Sequence, residues 1–305
     1  AQTIWPFIFP RGNKPALQRE RLELPDTDFI DLAWTPETGG PIVVLLHGLE
    51  GSVQSHYASG MMSTLSQRGW RAVMMHFRGC SGEHNRLARG YHSGDTGDFR
   101  FLLEQIRNRY PARRLAAVGY SLGGNVLLKY LGEEKKQTPL CSAVAVSVPF
   151  DLSSAADRLQ QGFSRFYQRY LINKIRQRIK NKFRHRKDAP FNIAELQKWR
   201  NFHLFDNFVT APLHGFASSQ EYYRLCSSRQ FLKSITIPTL LLQAIDDPFL
   251  ATDAIPAGKE LAEPVTLELS NKGGHVGFIG GRVPWRPERW LEQRVPDYLA
   301  DYLEL

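Results

Sequence analysis

An α/β fold with a mostly parallel, eight-stranded sheet flanked by helices is predicted, because short apolar runs alternate with segments of helical periodicity. Continuous apolar runs such as 42–46 are typical of strands buried on both faces. Their alternation with helices indicates right-handed βαβ units, which cover both faces of a parallel sheet. The predicted strands are 21–24, 29–34, 42–46, 71–75, 115–118, 143–148, 238–242 and 265–269.

The first two of these strands differ from the rest. They alternate apolar and polar residues on either side of Pro25, which predicts an antiparallel hairpin at an edge of the sheet. Elsewhere helical periodicity dominates between the strands. The principal predicted helices are 56–68, 94–110 and 287–303, the last with a break at Pro296.

The strand–helix alternation stops between the sixth and seventh strands. Residues 150–235 contain no run typical of a buried strand, and they are predicted to form a mainly helical, basic insertion into a core made of 1–149 and 236–305. Residues 157–200 contain 13 Lys and Arg against 3 Asp and Glu, which accounts for the net charge of +9. Since the charge belongs to one segment, nucleic-acid binding is not predicted.

The insertion also has an amphipathic pattern. Its apolar residues recur at helical spacing with basic residues between them, which predicts a basic amphipathic helix or helix pair. These apolar residues are Phe163, Phe166, Tyr167, Tyr170, Leu171, Ile175, Ile179 and Phe183.

Composition argues against membrane-spanning and secreted classes. No apolar run reaches the roughly 20 residues that a membrane-spanning helix needs. The first ten residues are apolar but interrupted by Pro6 and Pro10, and they are not expected to be a signal peptide. The three cysteines, Cys80, Cys141 and Cys226, are far apart and odd in number, which favours a reducing compartment and predicts a cytoplasmic protein.

Neither a cofactor nor a metal ion is predicted. The sequence contains neither G-x-x-x-x-G-K-[ST] nor G-x-G-x-x-G, the common nucleotide-binding motifs. His84 and His92 lie near Glu83 and Asp95, but their spacing matches no tight ligand motif.

The segment 119–123, G-Y-S-L-G, predicts a catalytic nucleophile. It joins an apolar strand to a helical pattern, and Gly119 and Gly123 allow neighbouring backbone to approach the serine closely. The strained turn would expose the hydroxyl of Ser121. The amide of Leu122, in the first turn of the helix, would then point at a developing oxyanion.

A serine nucleophile needs a base and an acid that orients the base. His275 follows the last strand and is flanked by glycines, so it is the predicted base. Asp246 and Asp247 follow the preceding strand, and Asp247 is the predicted acid because it stands immediately before Pro248. The other aspartate is expected to be solvated or to cap the following helix.

A second oxyanion donor is predicted in the loop 47–51, H-G-L-E-G, which follows the third strand. Leu49 is the expected donor, and His47 is expected to orient the loop through a hydrogen bond. Gly48 is a candidate pocket residue in the same loop.

Other pocket candidates come from the end of the fourth strand and from the insertion. Arg78 and Cys80 lie at the end of the fourth strand and could line the pocket, although Arg78 fits a salt bridge equally well. Phe163 and Tyr167 of the insertion are candidates to contact an apolar chain. Packing of the insertion against the core would explain most of its aromatic residues.

These motifs together resemble the α/β-hydrolase superfamily, and within it the bacterial YheT-like esterases, which are related to eukaryotic abhydrolase-domain lipid esterases. The resemblance implies a Ser121–Asp247–His275 triad, a cap over about 150–235 and residues before Ala1. The matching segments are Q-T-I at 2–4, H-G-L-E-G-S at 47–52, H-F-R-G-C-S-G-E at 76–83, Y-H-S-G at 91–94, G-Y-S-L-G-G-N at 119–125, G-F-S-R at 162–165, D-D-P-F at 246–249 and G-G-H-V-G-F at 273–278.

The predicted function is therefore hydrolysis of small-molecule or lipid-like carboxylic esters through an acyl-enzyme. Acyl transfer to an acceptor other than water would use the same residues. Binding to a membrane surface or another anionic partner is the alternative from a different class, because the run from Lys174 to Lys187 is basic and contains no acid. The acyl chain length and the oligomeric state do not follow from the pattern.

Overall fold

The sheet predicted from the sequence is confirmed. A computed structural model describes Gln2, residues 16–281 and residues 288–304. Within these residues, eight strands form one sheet in the order β1-β2-β4-β3-β5-β6-β7-β8. The strands are β1 (Gln18–Glu23), β2 (Phe29–Trp34), β3 (Ile42–Leu46), β4 (Arg71–His76), β5 (Leu115–Tyr120), β6 (Leu140–Val146), β7 (Thr239–Ala244) and β8 (Val265–Ser270).

Strand direction divides the sheet into an antiparallel edge and a parallel centre. β1 pairs with β2 as the predicted hairpin, and β2 runs antiparallel to β4. All pairs from β4 through β3 and β5 to β8 are parallel. Every residue of β3, β4, β5 and β7 is buried, as expected for strands covered on both faces.

Helices cover both faces of the sheet, and each face has its own apolar cluster. A short strand pair, β9 (Ile279–Gly280) with β10 (Glu288–Arg289), lies outside the main sheet. The helices are α1 (Ala58–Gln67), α2 (Gly97–Arg109), α3 (Leu122–Glu134), α4 (Leu152–Leu159), α5 (Ser164–Lys182), α6 (Phe202–Phe205), α7 (Ala211–His214), α8 (Ser219–Cys226) and α9 (Trp290–Leu303).

The prediction of a helix break at Pro296 is wrong, because Pro296 lies inside α9. Proline removes one backbone donor and usually kinks or ends a helix. Leu291, Val295 and Leu299 are buried against the sheet on the same helix. This packing outweighs the missing hydrogen bond. Residue 287, where the predicted helix began, lies outside the described residues.

The chain between β6 and β7 forms the insertion. All of its residues are described, and its elements are helical without a strand. Helices α4 to α8 include a π-helical turn at Asp206–Thr210. A separate apolar cluster, which includes Ile172, Ile179 and Trp199, stabilises this part of the chain.

No helix in the described part of the chain has both the length and the apolar composition needed to cross a lipid bilayer.

Candidate active site

The turn between β5 and α3 carries Ser121. This residue adopts φ 53° and ψ −119°, which residues with a side chain rarely adopt. Backbone packs tightly around the turn. A Cβ on Gly119 would lie 2.5 Å from the carbonyl oxygen of Gly123, and one on Gly123 would lie 2.5 Å from that of Leu46. Glycine is therefore required at both positions, as the motif predicted.

Three side chains meet beside this turn. His275 Nε2 lies 2.9 Å from Ser121 Oγ, and His275 Nδ1 lies 2.9 Å from Asp247 Oδ2. Ser121 follows β5, Asp247 follows β7 and His275 follows β8. The carboxyl ends of these three strands lie at one edge of the sheet. When Nδ1 donates to the carboxylate, Nε2 keeps a lone pair for the serine proton. The arrangement can therefore support general-base activation of the hydroxyl.

The carboxylate of Asp247 is held in place by neighbouring donors. Its side chain has no exposed surface. The N–H of Phe249 donates to Oδ1 at 2.8 Å, and the side-chain amide of Gln243 donates to Oδ2 at 3.1 Å. These donors compensate for the loss of water around a buried carboxylate. They also orient it towards His275.

Asp246 is exposed to solvent, which is one of the two expected outcomes for it. Instead of capping a helix, its Oδ1 accepts hydrogen bonds from the N–H groups of Gly273 and Gly274, each at 2.8 Å. The exposed Asp246 thereby joins the loop after β7 to the loop that carries His275. Adjacent aspartates thus contact different parts of one loop, the ring in one case and the backbone in the other.

Two further residues support His275 and were not predicted. Phe249 stacks on the imidazole, with ring centroids 3.9 Å apart and planes inclined by 14°. Ser147 adopts φ 53°, and its Oγ accepts the N–H of Val276 at 3.0 Å. The D-D-P-F segment contains Phe249, but the stacking arises only when the two loops meet.

The loop 47–51 is anchored by His47, as predicted. His47 Nδ1 lies 2.7 Å from the carbonyl oxygen of Gly48, and the N–H of Phe77 donates to Nε2 at 3.1 Å. One ring nitrogen therefore donates and the other accepts, which requires the neutral ring. Burial lowers the pKa of His47 to about 3, in agreement with that form.

The predicted oxyanion donors lie next to Ser121. Leu49 and Leu122 line the same cavity as Ser121 and His275. Within the described residues, neither backbone N–H has a protein acceptor. Leu122 is the first residue of α3, where N–H groups have no intrahelical partner.

An ion pair connects the insertion to this loop. Arg178 Nε of α5 donates to Glu50 Oε1 at 2.8 Å, and the Tyr91 hydroxyl donates to the same oxygen at 3.0 Å. Glu50 adopts φ 53°, and its N–H donates to the Tyr91 hydroxyl at 2.9 Å. Because Glu50 directly follows Leu49, the insertion helps to set the backbone beside the candidate oxyanion site.

Two spaces open from Ser121 and His275. The first, called the inner cavity, is lined mainly by buried apolar residues of the insertion, among them Leu152, Ile175 and Phe205. The second, called the outer groove, is lined by Gly48, Phe163, Tyr167, Phe249 and residues of α5 and the loop 48–57. The predicted pocket residues Gly48, Phe163 and Tyr167 thus lie along the outer groove.

Arg78 and Cys80 line neither space, so the expectation that they form the pocket is wrong. Arg78 is buried and bonded to Asp26, Asp28 and Asp98, at 2.6 to 3.0 Å. This is the salt-bridge alternative. Cys80 packs against the core, and burial raises its pKa to about 12. A thiol in that state is a weak nucleophile.

His92, one of the two histidines considered as metal ligands, packs against another histidine. No group of three candidate ligands occurs among residues 16–281 and 288–304. His92 instead packs edge-on against His214, and its Nδ1 accepts the N–H of Gly94 at 3.2 Å. Burial lowers the pKa of His92 to about 3 and that of His214 to about 2, so both rings are neutral.

Comparison with known proteins identifies the family of the chain. The sequence model of the alpha/beta hydrolase fold matches residues 41–281, most of the chain. The chain belongs to the α/β-hydrolase family. It is 44% identical to the Escherichia coli K12 protein YheT, over 99% of this chain and 90% of that protein. The family resemblance is therefore confirmed.

Two eukaryotic relatives have names that describe lipid hydrolysis. Human phospholipase ABHD3 is 30% identical over 98% of this chain and 75% of its own length. The Saccharomyces cerevisiae monoacylglycerol lipase is 32% identical over 85% of this chain and 59% of its own length. At the family level this chain is thus an esterase- and lipase-like α/β hydrolase.

Solved structures show the same fold. The Pyrococcus furiosus esterase Pf2001 superposes with a TM-score of 0.62 at 17% identity, covering 94% of this chain and 93% of its own. At that identity the similarity establishes the fold, and the family assignment comes from the sequence comparisons.

Proposed function

We propose that this protein is a serine hydrolase of carboxylic esters. The observation that carries the proposal is the continuous contact from Ser121 Oγ through His275 to the buried Asp247, beside a strained strand-to-helix turn. A serine hydroxyl needs this kind of base to become nucleophilic at neutral pH. The names of the relatives support esters as the substrate class.

In the proposed reaction, Ser121 Oγ attacks the ester carbonyl carbon while His275 Nε2 accepts its proton. The amides of Leu49 and Leu122 stabilise the negative oxygen of the tetrahedral intermediate. The bond to the alcohol oxygen then breaks as His275 returns the proton to that oxygen. A water molecule, deprotonated by His275, then attacks the acyl carbon of the acyl-enzyme. The bond to Ser121 Oγ breaks as His275 returns the proton to that oxygen, which releases the carboxylic acid.

We assign residues 150–235 the role of a cap. Their helices line the inner cavity, and most of the lining side chains are apolar. An apolar wall beside the nucleophile suits an acyl chain or another lipid-like group. Polar side chains such as Asp206 and His214 also reach this cavity, so the far wall differs from a simple hydrocarbon pocket.

The proposal is tested with p-nitrophenyl esters of two to twelve acyl carbons. We expect wild-type turnover with at least part of the series, and loss of turnover in Ser121→Ala. Cys80→Ala is the matched control and should keep its activity, because Cys80 lies outside both spaces at the site. Folded wild-type protein that hydrolyses none of these esters would contradict the proposal.

Acyl transfer remains compatible with the same residues. An alcohol that competes with water for the acyl-enzyme would yield a new ester. Adding a primary alcohol to the ester assay and measuring the ratio of new ester to free acid distinguishes the two outcomes. Exposed basic residues of the insertion also suit contact with anionic partners, which is compatible with hydrolysis.

The proposed location is the cytoplasm. Cys80, Cys141 and Cys226 are all free thiols, which suits a reducing compartment.

A further inference from the structure

Three aromatic side chains are exposed at the start of helix α5, where Phe163 is the N-cap residue. Phe163 is 63% exposed, Phe166 is 67% exposed and Tyr170 is 53% exposed. They are separated by three and four positions, so they form one stripe, called here the aromatic face. Large apolar side chains rarely cluster in water without a binding role.

The aromatic face is continuous with the outer groove. Phe163, Phe166 and Tyr170 line this groove together with Ser121 and His275. Behind them, Tyr167 contacts Phe249, with ring centroids 5.3 Å apart, and Phe249 stacks on His275. A molecule that leaves an apolar phase at this face would therefore enter the groove that leads to the nucleophile.

Five of the seven basic side chains of α5 fall into two groups. Arg176, Arg178 and Lys182 are occupied within the protein, since they donate to Trp199 O, Glu50 Oε1 and Asn85 Oδ1. Arg169 and Lys174 are exposed, and both are close in sequence to Tyr170. In the described part of the chain no carboxylate pairs with either of them, and Lys174 lies over the Tyr170 ring. Positive charge therefore remains available where the aromatic side chains are.

We propose that the aromatic face docks on an anionic lipid surface and opens the outer groove towards it. Aromatic side chains would enter the interface, while Arg169 and Lys174 would meet anionic headgroups. The part of the protein that contacts the lipid is thus the start of α5. The whole basic run from Lys174 to Lys187 is not required for docking. Only the entry of substrate through the outer groove rests on the proposed function. Binding to the lipid surface requires no hydrolysis.

Vesicle binding in the inactive Ser121→Ala background tests this proposal without any contribution from turnover. Sedimentation with phosphatidylcholine vesicles containing about 30% phosphatidylglycerol should show binding that weakens with salt and is much lower on pure phosphatidylcholine. Phe163→Ser with Phe166→Ser should reduce the partition coefficient by about 10-fold or more, whereas Phe163→Leu with Phe166→Leu should retain it.

A matched charge control separates the aromatic face from the basic run. Lys180→Gln with Lys187→Gln removes two exposed charges of the insertion that do not line the groove. It should change binding by less than the loss caused by Arg169→Gln with Lys174→Gln. Unchanged thermal unfolding in all variants, expected for exposed positions, excludes misfolding as the cause.

Three outcomes would overturn the proposal. The first is no binding of the folded protein to anionic vesicles at low salt. The second is loss of binding in Lys180→Gln with Lys187→Gln, together with full binding in Phe163→Ser with Phe166→Ser. The third is a wild-type protein that is a dimer while Phe163→Ser with Phe166→Ser is a monomer. This result would assign the aromatic face to contact with a second copy of the chain.

Discussion

The carboxyl edge of the sheet and the helical insertion hold their functional side chains by different means. At the sheet edge, strained backbone and short loops place Ser121, Asp247 and His275. In the insertion, contacts between side chains hold the residues in position. An example is Arg178, which donates a hydrogen bond to Glu50 across the boundary between the two regions. In the proposed reaction the chemistry therefore takes place at the sheet edge, while the insertion lines the inner cavity and contacts one loop.

The largest effect is expected from Asp247, because it tests the sheet edge alone. Asp247→Asn should reduce kcat by about 10⁴-fold, since the amide favours the wrong tautomer of His275. Asp246→Asn is the matched control, because an asparagine oxygen can still accept from Gly273 and Gly274. Steady-state ester kinetics measure both variants. A greater loss in Asp246→Asn would reverse the roles of the two aspartates.

An intermediate effect is expected where the insertion meets the sheet edge. Arg178→Met should lower kcat by about 10- to 100-fold with a smaller change in KM, because Glu50 loses its partner beside Leu49. Arg178→Lys should recover part of the rate. The double variant Glu50→Gln with Arg178→Met should also have a higher kcat than Arg178→Met alone, since no unpaired buried charge remains.

Lys180→Met is the control for Arg178, because this exposed lysine of the same helix does not line either space. It should keep the wild-type kcat. A normal kcat in Arg178→Met would show that the sheet edge positions the oxyanion loop unaided.

The smallest effect concerns stability, and it compares one histidine from each region, the buried His47 and the half-buried His214. Burial lowers the pKa of His47 to about 3 and that of His214 to about 2, from an ordinary value of 6.5. Below pH 6.5 the unfolded chain binds protons that the folded protein does not. Each ring should therefore lower the free energy of unfolding by about 1.4 kcal/mol for each pH unit below 6.5.

Urea unfolding at pH 5, 6 and 7 measures this slope. His47→Gln and His214→Gln should each make the change of the unfolding free energy with pH less steep, by the contribution of one proton. An unchanged slope in His214→Gln, with the expected change in His47→Gln, would show that the insertion opens before the core unfolds.

The sequence supported the sheet edge better than the insertion, for a physical reason. Buried strands, the tight turn at Ser121 and the order of acid and base are local patterns, and the structure brings these residues together. Arg78 was ambiguous because its partners Asp26, Asp28 and Asp98 are distant in sequence. Its salt bridges depend on how the hairpin and α2 meet.

The same limit applies to contacts between loops. Stacking of Phe249 on His275 and the bonds of Asp246 to two glycines arise only when the ends of β7 and β8 lie side by side. The pattern of α5 predicted an amphipathic helix correctly. It could not show that Phe163 and Phe166 remain exposed, because exposure depends on where the helix packs.

The assignment of Ser121 as the nucleophile is tested by covalent labelling with a fluorophosphonate, followed by mass spectrometry of the digested protein. We expect one phosphonyl adduct on the peptide that contains Ser121, with labelling of the intact protein abolished in Ser121→Ala and retained in Cys80→Ala. An adduct on another residue, or no adduct on folded wild-type protein, would contradict the assignment of Ser121 as the nucleophile.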